Sequence, residues 1–107
     1  MTQQQDDFRL EVGEGVPPEI GEKLVAYAKA KDAEDSPTAY SVYTTKSMIV
    51  KHDAKKKLFI AVSKQKWEGV EDKGRGGMKG VSAVYTNTDT LPDDGKGEPK
   101  RISHEKF

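Results

Sequence analysis

The chain has 107 residues, of which 34% are hydrophobic and 34% are charged, and its formal net charge is zero. This length fits a single domain, and the low apolar content leaves little material for a large core. The sequence has no cysteine, which excludes disulfides and thiolate metal sites and favours a reducing compartment. Because no apolar run approaches the roughly 18 residues of a membrane span and no export signal is visible, we expect a soluble cytoplasmic protein.

Charge is unevenly distributed along the chain. Residues 1–35 contain four Lys/Arg and nine Asp/Glu, whereas residues 51–79 contain nine Lys/Arg and four Asp/Glu. If these segments form separate faces, the molecule is electrically polarised, and such a field steers charged partners. The alternative is that the lysines only solvate an exposed hairpin.

The first predicted elements are a short strand and a helix. Residues 8–12 alternate between apolar and charged side chains, which is the period of a half-buried strand. A helix is predicted from Pro18 to about Lys31, because the proline pair and Glu19 suit a helix N-terminus. Its apolar face consists of four residues at helical spacing: Ile20, Leu24, Tyr27 and Ala28.

Period-two patterns follow the helix. Strands are predicted over residues 40–50, 58–63 and 81–86, and the second of these is apolar enough to be a central strand. The predicted fold class is therefore α+β, a small antiparallel β-meander of four to five strands in the order β-α-β-β-β(-β). One helix packs on one face of this sheet, because an antiparallel sheet can leave its other face to water.

The two ends of the chain are predicted to lie outside this domain. Residues 1–7 are expected to be disordered, and residues 8–88 form the single domain. Proline, glycine and charged residues dominate residues 89–107, which we predict to be a flexible tail because so few apolar groups cannot offset the entropy of ordering it.

The segment KGRGGMKG, residues 73–80, contains four glycines and three cations. It lacks the lysine and hydroxyl of a P-loop, and Lys79 stands where a dinucleotide fingerprint has its third glycine. We therefore expect no nucleotide cofactor. The connection between Trp67 and Val81 is longer than a usual hairpin loop, and long loops are enriched in binding functions. The segment is predicted to be a mobile, basic binding loop.

The candidate macromolecule-binding residues lie in and before this loop. Cations that bind phosphates and an aromatic ring that stacks on bases are typical of nucleic-acid sites. Strand alternation would nevertheless separate Lys66 from Trp67, and 15 lysines against three arginines do not favour base recognition. The alternative for Trp67 is a structural role at one end of the core. The full set is Lys64, Lys66, Trp67, Lys73, Arg75 and Lys79.

Catalytic patterns are sparse. His52 and His104 are the only histidines, and one lies in a predicted turn and the other in the predicted tail, so we expect no preformed zinc site that joins them. His52 is followed by Asp53 and by several lysines, which suggests a small nuclease, although a solvated turn histidine is the alternative. The S-x-x-K match at residues 63–66 ends a strand instead of starting a helix, so we interpret it as chance.

From the sequence we expect a small non-enzymatic interaction protein, of the inhibitor or adaptor type, that binds an acidic macromolecular surface through the basic loop. A protein partner is favoured over a nucleic acid because the net charge is zero. The pattern is also compatible with an accessory protein of a mobile genetic element. The alternatives are a nucleic-acid-binding domain that uses Lys64–Lys79 and a nuclease centred on His52. No cofactor, metal or membrane partner is expected.

Overall fold

The computed structural model describes residues 8–36, 40–72, 74 and 77–107. Its elements follow the order strand, helix and four further strands, which confirms an α+β fold with one helix. They are β1 (Arg9–Val12), α1 (Pro18–Glu34), β2 (Ser41–Asp53), β3 (Leu58–Asp72), β4 (Met78–Pro92) and β5 (Lys100–Lys106).

The five strands form one sheet in the order β1-β2-β3-β4-β5. Strands β2 to β5 are antiparallel neighbours, as the sequence predicts. The prediction of an entirely antiparallel sheet is wrong for β1, which pairs parallel to β2 with Arg9 opposite Ser47. The sheet is mixed because α1 carries the chain back to the starting end of the sheet, and a helical crossover of this kind joins parallel strands.

Helix α1 covers one face of the sheet, which we call the helix-side face; the other is the open face. Pro17 is extended, with φ −64° and ψ 146°, and its carbonyl oxygen accepts a hydrogen bond from the Ile20 N–H, which starts the helix. The buried core lies between α1 and the sheet. It consists of Ile20, Leu24, Ala28, Met48, Val50, Phe59, Ala61 and Leu91.

The prediction of a flexible tail over residues 89–107 is wrong. Strand β4 continues to Pro92, and β5 pairs with it over Tyr85–Thr90. Leu91 and Asp89 are both fully buried, and the Arg101 Nε donates a 2.8 Å hydrogen bond to the Asp89 carboxylate. Composition did not reveal this strand, because its order comes from pairing with β4 and from one ion pair. The prediction for residues 1–7 concerns residues outside those that the structure describes.

The long connection predicted between Trp67 and Val81 is also wrong. Strand β3 continues to Asp72 and β4 begins at Met78, so the connecting segment is only residues 73–77. A strand of 15 residues spans roughly 50 Å, in agreement with the 56 Å long axis of the molecule. Asp32, near the end of α1, contacts Thr45 and Gln65, so the strands beyond them project past the helix. We call residues 41–45, 65–72 and 78–85 the arm.

Candidate binding surface

The predicted binding residues in the described part of the chain are distributed over both faces of β3 and β4. Lys64 and Lys66 lie on the open face, because they alternate with the buried Ser63 and Gln65 of the helix-side face. Trp67 lies on the helix-side face. Lys79 is exposed on β4 opposite Glu71, and the same alternation places it on the helix-side face. Lys73 and Arg75 lie outside the described residues.

The two open-face lysines have neighbours that reduce their availability. The Lys66 Nζ lies 3.7 Å from the Glu68 carboxylate, and the Lys64 Nζ lies 5.9 Å from the centre of the Phe107 ring. Exposed pairs of this kind contribute little to stability, so neither lysine is held rigidly. The open face therefore offers two weakly paired cations, whereas Trp67 lies on the other face.

Trp67 has a structural role in the arm. Its Nε1 donates a 2.9 Å hydrogen bond to the Ser41 hydroxyl, which links β3 to the start of β2. Its ring lies next to Gly69, where an added Cβ atom would come within 2.3 Å of the Trp67 Cζ2. Only glycine leaves room for the ring at this position, so Trp67 and Gly69 form one packing unit.

An aromatic cluster lies on the helix-side face next to Trp67. The rings of Tyr85 and His104 are stacked, with centroids 4.4 Å apart and an interplanar angle of 13°. The Tyr43 ring lies 6.0 Å from Tyr85 and 6.4 Å from His104, and Tyr43 stands opposite Trp67 in the strand register. We call Tyr43, Trp67, Tyr85 and His104 the aromatic patch. His104 is exposed, and the other three residues are half-buried.

A buried chain of hydrogen bonds connects the aromatic patch to α1. The Gln65 Nε2 donates to the Asp32 Oδ1 at 2.7 Å, and the Asn87 Nδ2 donates to the Gln65 Oε1 at 3.0 Å. The Asn87 Oδ1 contacts the His104 Nδ1 at 2.5 Å. Asp32 is further held by the Thr45 N–H at 2.7 Å and the Thr45 hydroxyl at 3.0 Å. The helix terminus thus positions the imidazole through two amide side chains.

The direction of this chain determines the tautomer of His104. A carboxylate only accepts hydrogen bonds, so the Asp32 oxygen requires the amide nitrogen of Gln65 as its donor. The Gln65 oxygen then requires the amide nitrogen of Asn87, and the Asn87 oxygen is left to face the imidazole. His104 must therefore carry a proton on Nδ1. Its Nε2 is the acceptor in the neutral ring and a second donor in the charged ring.

The sequence does not predict this hydrogen-bond chain. It predicts that His104 lies in a tail, and Asp32, Gln65 and Asn87 lie on three different elements. No local pattern marks them, because residues far apart in sequence meet only when the strand register is known. Gln65 lies between two lysines and Asn87 between two threonines, so their sequence neighbours give no signal of burial.

Tyr43 provides a test of how the patch is packed. Burial raises the pKa of the Tyr43 hydroxyl, and the neighbouring Tyr85 and Asp35 raise it further. Because the fold favours the neutral phenol, its contribution to stability is present below the unfolded pKa of about 10 and is lost as pH rises through the folded pKa. When the folded protein is titrated to high pH, we expect the tyrosinate absorbance to rise in a final step that Tyr43→Phe removes. This step should remain in the control variant Tyr40→Phe. If it also remains in Tyr43→Phe, the packing described here is wrong.

His52 lies at the opposite end of the sheet from the arm. Its Nε2 is 3.1 Å from the Asp93 Oδ2, and its ring packs against Phe59 on the helix-side face. A nearby cavity of about 590 Å³ has a floor of open-face side chains, among them Ile60 and Val62. His52 also lines this cavity, while its imidazole contacts Phe59 and Asp93. No group of three His, Cys, Asp or Glu that could hold a metal occurs among the described residues.

Comparisons with protein-family models, curated proteins and solved structures found no match to this chain. In the described part of the chain, α1 is neither long nor apolar enough to cross a membrane. The chain is thus a small α+β protein with an aromatic patch at the base of a projecting arm. Its function has to be argued from that surface.

Proposed function

We propose that this protein is a non-enzymatic interaction protein that binds an acidic surface of another macromolecule with the helix-side face of the arm. The aromatic patch forms the centre of the contact. The basic residues Lys73, Arg75 and Lys79, between or at the start of the long strands, contribute to it. The observation that carries the proposal is the stacked Tyr85–His104 pair, which is held by the buried chain that ends at Asp32. A cytoplasmic location belongs to this proposal and is supported by the sequence without cysteine.

The pre-organisation of the aromatic patch favours binding. Tyrosine and tryptophan are enriched among the residues that contribute most to protein interfaces, because they offer large contact areas with few rotatable bonds. Tyr85 is restrained by the stacked imidazole and Trp67 by its bond to Ser41, so binding costs little further side-chain entropy. The hydrogen-bond chain is buried at Gln65 and Asn87, which leaves only its imidazole end at the surface.

The charges around the patch favour an acidic partner. Lys106 stands opposite Tyr85 in the strand register and is exposed, and Lys79 is exposed on the same face farther along the arm. The imidazole of His104 adds a positive charge when it is protonated. Residues 51–79 as a whole carry an excess of Lys/Arg over Asp/Glu. Such a field accelerates association with an acidic surface and weakens when salt screens it.

A second candidate function is the binding of single-stranded nucleic acid. The observation that favours it is the position of Lys106 beside the Tyr85–His104 stack, because a cation next to an aromatic ring suits a phosphate next to a base. Lys64 and Lys66, which the sequence analysis assigned to this function, lie on the other face. A net charge of zero favours the acidic protein partner as the first candidate.

The proposal is tested by comparing variants in affinity capture from cell extract, with quantitation of each captured protein. We expect Tyr85→Ala to weaken capture of the partner at least about thirtyfold, the effect of a hot-spot residue worth about 2 kcal/mol. Replacing Lys73, Arg75 and Lys79 with glutamate should slow association without a change in thermal stability. Thr86→Ala, on the open face beside Tyr85, is the matched control and should capture as much as the wild type.

The same variants separate the two candidate functions. Fluorescein-labelled oligothymidylate and the matched oligouridylate serve as nucleic-acid probes, each at two salt concentrations. Tight binding that weakens steeply with salt and is lost in Lys106→Gln would favour the nucleic-acid function. Partner capture that is unchanged by Tyr85→Ala, in a variant whose circular dichroism matches the wild type, would refute the role of the aromatic patch.

A further inference from the structure

The open face carries an apolar cluster near the turn between β2 and β3, away from the arm. Strand alternation places Ile49, Ile60 and Val62 on this face, because the residues next to them in β2 and β3 are buried. In the strand register Ile49 stands opposite Val62, so their side chains are direct cross-strand neighbours. Each of these two side chains is 42% exposed. The cluster is therefore a continuous apolar surface on the face that α1 does not cover.

The need for strand-forming residues does not explain this cluster. On the adjacent strand β4, Thr88 stands opposite Val62 in the register, and the next open-face residue is Thr90. Threonine favours strands as valine and isoleucine do, but its hydroxyl can bond to water. The open face thus has β-branched residues that leave less apolar surface exposed. Contiguous apolar surface marks binding sites, whereas single exposed apolar residues need no explanation.

The apolar cluster is the floor of the cavity of about 590 Å³ described above. Small-molecule sites in proteins have volumes of about 300–1,000 Å³, with a mostly apolar lining and a few polar groups. The turn between β2 and β3 contributes Ala54 and Lys55 to the lining. Lys51 also lines the cavity and stands opposite Ile60 in the register. The cavity therefore combines an apolar floor with two exposed lysines.

The charge beside the cavity is positive. Residues 51–57 contain four lysines and one aspartate, and all four lysines are exposed. In the described part of the chain, none of these lysines forms an ion pair. Asp53 also lines the cavity, but its Oδ1 accepts a 3.1 Å hydrogen bond from the Lys56 N–H in the turn. An anionic ligand group is therefore attracted to this end of the sheet, and a cationic group is repelled.

We propose that this cavity binds a free carboxylate that carries an alkyl chain of medium length. The chain packs on Ile49, Ile60 and Val62, which removes apolar surface of both the ligand and the floor from water. Both lysines that line the cavity, Lys51 and Lys55, lie on the side of the turn. The ligand that fits them has its charge at one end of an apolar chain. This inference does not rest on the proposed function, because the aromatic patch lies on the other face.

The test uses hexanoate, octanoate and decanoate as probes and follows the amide signals of isotope-labelled protein by nuclear magnetic resonance. We expect decanoate to shift the signals of Ile49, Ile60 and Val62, with saturation below about 1 mM. The affinity should increase at least about threefold for every two methylene groups, because each one removes further apolar surface from water. Decyltrimethylammonium has a chain of the same length and a cationic head group, and it should bind at least about tenfold more weakly than decanoate.

Two valines of the open face provide a matched pair of variants for the apolar floor. Val62→Thr keeps the branched shape of the side chain but replaces a methyl group by a hydroxyl, so it should weaken decanoate binding at least about threefold. Val84→Thr is the same substitution at a position that is similarly exposed, at 40%, and lies outside the cavity lining. It should bind decanoate like the wild type.

The lysines of the turn provide a second matched pair. Lys51→Gln combined with Lys55→Gln removes both lysines of the cavity lining and should weaken decanoate binding at least about tenfold. Lys56→Gln combined with Lys57→Gln removes the same charge from the same turn, but neither residue lines the cavity. Its effect should stay below about threefold, because water and salt screen the more distant charges.

Circular dichroism of each variant establishes that it is folded before its affinity is compared. The proposal is overturned if decanoate gives no saturable shift up to about 1 mM, if the affinity does not increase with chain length, or if folded Val62→Thr and Val84→Thr bind equally well. Vesicles of phosphatidylglycerol test the membrane as another source of anionic head groups and alkyl chains. Binding to these vesicles without binding to monomeric decanoate would also overturn the proposal.

Discussion

Arg101→Met is expected to lower the free energy of unfolding by about 3–5 kcal/mol, because it leaves the Asp89 carboxylate buried and unpaired. The Asp89 side chain is fully buried, and both of its oxygens accept hydrogen bonds from the Arg101 guanidinium, at 2.8 and 3.3 Å. Urea unfolding followed by circular dichroism measures the loss. Lys100→Met, at the exposed neighbouring position, is the control and should change stability by less than about 0.5 kcal/mol.

A double variant distinguishes the lost pair from other effects of the substitution. If the cost is that of a buried charge, Asp89→Leu added to Arg101→Met should restore most of the stability, because a buried ion pair can often be replaced by apolar groups. Losses that simply add in the double variant would show that Arg101 acts through its packing alone. A loss below about 1 kcal/mol for the single variant would contradict the geometry of the pair.

Leu24→Ala is expected to lower the free energy of unfolding by about 2–5 kcal/mol. Leu24 is fully buried in the core between α1 and the sheet, so truncation removes apolar contacts and leaves a cavity. Glu22→Ala lies on the exposed side of the same helix and is the matched control. Its effect should be small, since alanine is a good helix former. Comparable losses from the two variants would show that α1 does not bury the face assigned to it.

The positions of the main elements could be predicted from local patterns. Helix α1 begins at Pro18, as its proline and acidic first turn indicate. Of the four predicted apolar positions, Ile20, Leu24 and Ala28 are buried in the core, whereas Tyr27 is only half-buried. Strand β3 begins at Leu58, where the period-two pattern begins. In these segments the polarity of each residue agrees with its burial, so a short stretch of sequence is enough to predict the element.

The candidate surface could be predicted only in part. The sequence predicts Lys79 and Trp67 as binding residues but not the partners of Trp67 in the aromatic patch. It predicts a strand without a functional role around Tyr43 and a tail that contains His104. The separation of Lys66 from Trp67 follows from strand alternation, and the structure places these two residues on opposite faces.

The sequence alone determined the helix, most of its buried face, the presence of strands over residues 8–12, 40–50, 58–63 and 81–86, and the separation of charge. The tertiary structure alone decided the parallel pairing of β1, the existence of β5 and the chain from Asp32 to His104. Local apolar periodicity specifies a segment that buries its own side chains. Strand β5 and the hydrogen-bond chain contain mostly polar residues, whose burial is favourable only when a partner from a distant strand satisfies each group.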